Sequence, residues 1–138
     1  MLLAEAIREK AYIEESIRDL QKYMIALSIE GDQDSISGCM RELDELYSRY
    51  QKFSVSINRT KNSTTIKIND TKLNLSDAYI IQRSMEHRLS VYQNILDTSF
   101  DREGVYPKIL LEELERIRLD VKTIGAEINY AIWNVETS

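Results

Sequence analysis

Cysteine, proline and histidine each occur once in this 138-residue chain, and glycine only four times. With Cys39 alone, no intramolecular disulfide forms. With His87 as the single histidine, the usual Cys/His zinc sets cannot be assembled. Di-metal helical bundles need a Glu-x-x-His motif on each of two helices and fail on the same count. The glycines, at 31, 38, 104 and 125, are too scattered for a phosphate loop or a dinucleotide fingerprint. No run of Lys or Arg is present and the formal net charge is −5, which argues against general nucleic-acid binding. No stretch approaches the ~20 apolar residues that span a bilayer. The opening Met1-Leu2-Leu3-Ala4-Glu5-Ala6-Ile7-Arg8 carries early charges and lacks the apolar centre of a signal peptide. The expectation is a cytoplasmic protein with no membrane partner. Sequons at Asn58, Asn62, Asn69 and Asn74 all fall around one polar segment and are not read as glycosylated.

What is present is helical patterning. Charged residues make up 30% and hydrophobic residues 43%, a globular balance in a chain of one-domain size. A first helix is expected from about Leu2 to Ile29, with Ala6, Ile13, Ile17, Leu20, Met24 and Leu27 in 3-4 alternation and Lys10 laying its stem along the seam. Gly31-Asp32 and the Asp/Ser-rich stretch to Gly38 separate it from a second helix, expected from about Ser37 to Ser56. Met40, Leu43, Tyr47 and Tyr50 hold the second seam, extended by Ile36 and Ile57 and widened by Leu46 and Phe53.

From Asn58 to Asn74 the helical period disappears. Thr64-Thr65-Ile66-Lys67-Ile68 and Lys72-Leu73-Asn74-Leu75 alternate with period two around Asn69-Asp70, so a β-hairpin insertion at about 58–75 is expected. A third helix follows, with Ser76 as N-cap, Asp77 in the first turn and Leu75 with Ile80 as a hydrophobic staple. Its buried face reads Ala78, Ile81, Met85, Leu89, Tyr92 and Leu96. A loop from about Ser99 to Tyr106 leads to Pro107 at the start of the last helix. There Leu110, Leu114, Ile117, Val121, Ile124, Ile128, Ala131 and Val135 recur at heptad spacing. The fold class is all-α: four main helices in one domain over residues 1–138, with long heptad-patterned first and last helices and a small hairpin between helices 2 and 3. Long apolar faces and aromatic rings suited to interfaces (Tyr47, Tyr50, Tyr79, Tyr92, Tyr106 and Trp133) argue for a homo-oligomer. Core-edge positions in the bundle would serve these rings equally well.

No catalytic constellation emerges. Glu14-Glu15, Asp44-Glu45 and Glu112-Glu113 fall mainly on polar faces and read as solvated surface. His87 has no nucleophile motif around it, and Cys39 at a helix start reads as a plain thiol. The expectation is no enzyme, no cofactor, no metal and no catalytic residue. The unusual piece is Ile57-Asn58-Arg59-Thr60-Lys61-Asn62, which sets a guanidinium, an ammonium, two amides and a hydroxyl beside a helix end. Such groups recognise phosphate or carboxylate by charge-assisted hydrogen bonds. They also serve structure: Arg59 as a cap of helix-end carbonyls or a partner of Asp77, Asn58 as a turn residue. Both readings stand.

At this segment the chain resembles the septicolysin-like family of small bacterial and phage proteins. The features that carry the resemblance are Leu3-Ala4-Glu5-Ala6, Ile57-Asn58-Arg59-Thr60 and Leu73-x-Leu75-x-Asp77-Ala78 leading into the third helix. The family commonly has Asn where Lys61 stands, and an Arg-Asp pair where Gln82-Arg83-Ser84 keeps only the Arg. The resemblance implies a helical fold with a central hairpin and carries little about function. The functional expectation is a non-catalytic homo-oligomer that sequesters a small anionic, nucleotide-like ligand in an inter-subunit site. Asn58, Arg59, Thr60, Lys61, Asn62 and Arg83 are its candidate contacts. The alternative is a structural or protein–protein interaction module acting through helical faces.

Overall fold

In the computed structural model the described residues form four helices and one two-stranded hairpin: α1 (Leu3–Glu30), α2 (Gln33–Ser63), β1 (Thr65–Ile68), β2 (Thr71–Asn74), α3 (Leu75–Glu103) and α4 (Lys108–Ile132). The structure describes residues 1–103 and 108–138, with the helical backbone alone over 99–103. The chain divides into two compact units, Met1–Thr60 with Trp133–Ser138, and Lys61–Ile132.

In the first unit α1 and α2 form an antiparallel helical pair around a two-residue turn. Gly31 takes the left-handed conformation (φ 77°), its N–H meets the Ser28 carbonyl, and the Asp32 N–H reaches back to Leu27. This is the Schellman closure that glycine makes without strain. Asp32 then caps α2: its carboxylate accepts from the Ser35 N–H at 3.1 Å and from Ser35 Oγ at 2.7 Å. Because Asp32 supplies the cap, α2 begins at Gln33 and not near Ser37, and the Asp/Ser-rich stretch is its first turn. Ala6, Ile13, Leu20 and Leu27 are buried along α1, as their spacing requires, and Lys10 holds its ammonium 5.3 Å from the Tyr50 ring.

The seam of α2 differs from expectation. Ile36, Cys39, Leu43, Leu46, Tyr50, Phe53, Ile57 and Thr60 form a 3-4 series with buried or half-buried side chains. Leu20, Leu27 and Cys39 make a core against which Met24, Ile36, Leu43 and Leu46 pack. Met40 and Tyr47, expected on the seam, are 54% and 46% exposed. A two-helix contact covers only a narrow stripe, and these two side chains flank it. The tail completes this unit: the Leu3 N–H donates to the Val135 carbonyl at 2.8 Å, and the Met1 ammonium meets the Glu136 carboxylate at 2.8 Å. Val135 therefore belongs to an extended segment and not to the α4 heptad.

In the second unit the hairpin is shorter than the 58–75 expected. Thr65 pairs with Asn74 and Ile68 with Thr71, and Asn69 and Asp70 turn the chain with φ of 49° and 66°. Two consecutive positive φ values make the two-residue connection that Asn and Asp tolerate and that matches strand twist. Ile66 is the hairpin's buried residue, and both strands lie against α3 with β1 also on α4. Asn74, not Ser76, caps α3, its Oδ1 accepting the Asp77 N–H at 2.8 Å. Leu75 is thus already helical and fully buried, while Ile80 is 63% exposed, so the two do not form a staple. Ala78, Ile81, Met85, Leu89, Tyr92 and Leu96 do form the inner face of α3. It meets Leu114, Ile117, Ile124, Ile128 and Ala131 of α4, which are buried as their heptad demands. Glu113 ties the two helices, accepting from Arg88 at 3.1 Å and from Arg116. The expected loop from Ser99 gives way to helix as far as Glu103; Tyr106 and Pro107 lie outside the described residues.

Candidate functional site

The Asn58–Asn62 segment is helical, the last two turns of α2. Asn, Thr and Ser are poor helix formers, yet Ile57 and Thr60 extend the seam by one more repeat, and burial there outweighs propensity. Thr60 is 2% exposed. Its Oγ1 donates to the Ser56 carbonyl at 2.8 Å and accepts from the Ser138 N–H at 3.0 Å. A hydroxyl so engaged is a structural fastener. Lys61 holds its ammonium 4.2 Å from the centre of the Tyr79 ring, whose phenol burial pushes up from its ordinary 10.0. Asn62 Oδ1 accepts from Ser76 Oγ at 2.7 Å and so links the end of α2 to the start of α3. Three of the five neighbouring candidates are thereby occupied within the fold. Asn58 and Arg59 are exposed, and Arg59 makes no ion pair among the described residues.

Arg59 instead opens onto a shallow hollow of about 390 Å³ along the outer face of α2, lined by Ser48, Gln51, Lys52, Val55, Ser56 and Arg59. Positions 48, 52, 55 and 59 stack on one helical face, which sets two cations two turns apart with amide and hydroxyl groups between them. No acid lines this hollow, and Lys52 also lacks an ion pair among the described residues. Of these groups the Ser56 hydroxyl is already committed, donating to the Ser138 carbonyl at 2.7 Å. Lys52, Ser48 and Gln51 were missed by sequence reading, because ending the helix near Ser56 severs them from Arg59. The signal was the 3-4 spacing continuing through Arg59.

Arg83 lines a different hollow of about 400 Å³, with Ile80, Ser84 and His87 on the outer face of α3. No hydrogen bond joins Ser84 to His87, and Cys39 is buried on the α2 seam. Among the described residues no three His, Cys, Asp or Glu side chains gather closely enough to hold a metal ion. No described helix is long and apolar enough to cross a membrane.

The tyrosines divide by use. Tyr50, Tyr79 and Tyr92 each lie under a cation, from Lys10, Lys61 and Arg88. Tyr47, edge-on to Tyr50 at 6.4 Å, and Trp133 are exposed. Tyr47 borders an apolar groove of about 520 Å³ between α1 and α2 that is lined by Ile17, Met24, Ile25, Ile36 and Leu43 among others. The chain matches no family model, no curated protein and no solved structure.

Proposed function

We propose that this chain is a non-catalytic, self-associating binding protein that takes up a small anionic ligand of nucleotide type along the Lys52–Arg59 face of α2. One observation carries the reading. In a chain of net charge −5, a guanidinium and an ammonium line the same acid-free hollow with no ion pair to any described residue. A planar guanidinium binds phosphate in forked geometry, an ammonium adds a second charge, and the Gln51 amide and Ser48 hydroxyl complete a donor set. The hollow is open, so association of subunits is what would wall it. Acid–base or nucleophilic chemistry finds no support in the arrangement around His87 or Cys39.

Calorimetric titration with inorganic pyrophosphate and with AMP tests this. Binding is expected, and Arg59→Ala weakens it by about tenfold or more, the scale of a lost charge-assisted hydrogen bond. Thr60→Val, at a residue assigned here to the fold, lowers thermal stability without changing affinity per folded molecule. Affinity untouched by Arg59→Ala, or no binding of either anion, removes the ligand reading.

A second reading, an interaction module working through helical faces, is favoured by the apolar groove between α1 and α2.

A further inference from the structure

The groove between α1 and α2 belongs to a whole face of the helical pair. Numbered from the seam, Met40 and Tyr47 of α2 stand on the same side as Gln21 and Ser28 of α1. Outside them run two rims, Ala11, Arg18 and Ile25 on α1 and Ser37, Asp44 and Gln51 on α2. Ile25, Met40 and Tyr47 are exposed there. Isolated apolar side chains at a surface are ordinary; a groove floored by Ile17, Met24, Ile36 and Leu43 and edged by Ile25 and Tyr47, with Met40 exposed on the same side of α2, is a contact surface.

We infer that a second copy of this chain covers this face, the two helical pairs closing into a four-helix bundle with every neighbouring helix antiparallel. The inference rests on the proposed self-association and specifies which face performs it. Two observations favour a second copy as occupant. The first is charge. Glu30 and Gln33 flank the turn, so each step back along α1 corresponds to a step forward along α2, which brings Arg18 about level with Asp44 on the opposite rim. A two-fold axis parallel to the helices lays each α1 over the partner's α2. Arg18 of one copy then faces Asp44 of the other, and the symmetry repeats the pair. Neither residue has an ion pair among the described residues. The remaining rim pairs, Ala11 with Gln51 and Ile25 with Ser37, place no like charges together.

The second observation is size. Helices of 28 and 31 residues give a face about 40 Å long and two helices wide, roughly 800 Å² per copy, which is the share each partner contributes to a standard stable interface. The arrangement is the coiled-coil-like packing of an antiparallel bundle, with Met40 and Tyr47 entering its centre.

Sedimentation velocity on the full chain tests the inference, with circular dichroism checking that each variant keeps its helicity. The parent is expected to sediment as a dimer or a multiple of it at micromolar concentration. Arg18→Asp and Asp44→Arg, each of which places like charges across the interface twice, weaken association about tenfold. The exchanged double variant, carrying both substitutions, recovers the parent's association to within about threefold. Met40→Asp with Tyr47→Asp yields monomer. A parent that is monomeric removes both this inference and the self-association under it. An oligomer that all four variants leave intact removes only the choice of face. Weakening by both single reversals without recovery in the exchanged variant overturns the proposed pairing.

Discussion

Asp32 lies in the two-residue connection between α1 and α2 and serves both helices. Its N–H closes α1 while its carboxylate, held by the Ser35 N–H and hydroxyl, opens α2. Those hydrogen bonds favour the ionised form and hold the carboxyl below its ordinary 3.8. A lowered folded-state pKa contributes stability that is present above the unfolded value and is lost as pH falls through the folded one. Thermal denaturation followed against pH should therefore show Asp32→Ala melting below the parent at neutral pH, with the gap closing in the acid limb below 3.8. Asp32→Asn, which caps without a charge, should show less of this closing. The residue types at this turn were legible in the sequence; that Asp32 and not a later Ser begins α2 was not. Several Asp and Ser side chains in succession offer equivalent caps, and only the geometry of the preceding helix end selects one. Asn74 repeats the lesson, since the strand that ends there presents its amide to the Asp77 N–H before Ser76 can act.

Among the elements, α4 shows how far a heptad decides burial by itself. Leu114, Ile117, Ile124 and Ile128 are buried, while Leu119, off the repeat, is 64% exposed despite being equally apolar. Truncating Ile124→Ala should cost about 2–5 kcal/mol in chemical denaturation, and Leu119→Ala less than about 0.5 kcal/mol. Equal effects would mean that the α3/α4 contact is not where this unit's stability resides. On α2 the apolar residues span too wide an arc for one seam: sequence periodicity puts Met40 and Tyr47 on the seam with Leu46 and Phe53 only widening it, whereas the fold centres it on Cys39, Leu46 and Phe53. A helix facing one neighbour needs only a narrow stripe, so the surplus falls on the open flank. The same helix also runs through Asn58–Ser63, where local propensity argues for an ending. Thr60 is decisive there, because its hydroxyl finds partners at Ser56 and Ser138 that no local pattern reveals.

For the whole molecule, the two units use the same device, an antiparallel helical pair with a heptad seam, but finish it differently. Lys61–Ile132 adds a hairpin that sets Ile66 against its helices, whereas in Met1–Thr60 the groove beside α1 and α2 stays uncovered. A face completed by a second copy links stability to concentration, because association draws the unfolding equilibrium towards the native state. The melting temperature should rise with protein concentration for the parent and stay flat for the Met40→Asp/Tyr47→Asp variant. A concentration-independent parent would count against the bundle. The anion site is tied to the same association: the helix holds Lys52 and Arg59 ready, and Gln51, which lines their hollow, also stands on the rim that a second copy would cover.

Composition and periodicity alone determined that this chain is helical, that its last helix buries one regular stripe, and that a hairpin with an Asn-Asp turn follows the second helix. Those properties are set within a few residues by backbone and side-chain geometry. Which candidate contacts remain available was decided only in three dimensions: Thr60 is buried and bonded, Lys61 lies over Tyr79, Asn62 holds Ser76, and Arg59 joins Lys52. Polar side chains of the same type serve fold or ligand according to what stands within about 3 Å of them, and that distance is a property of the packed chain.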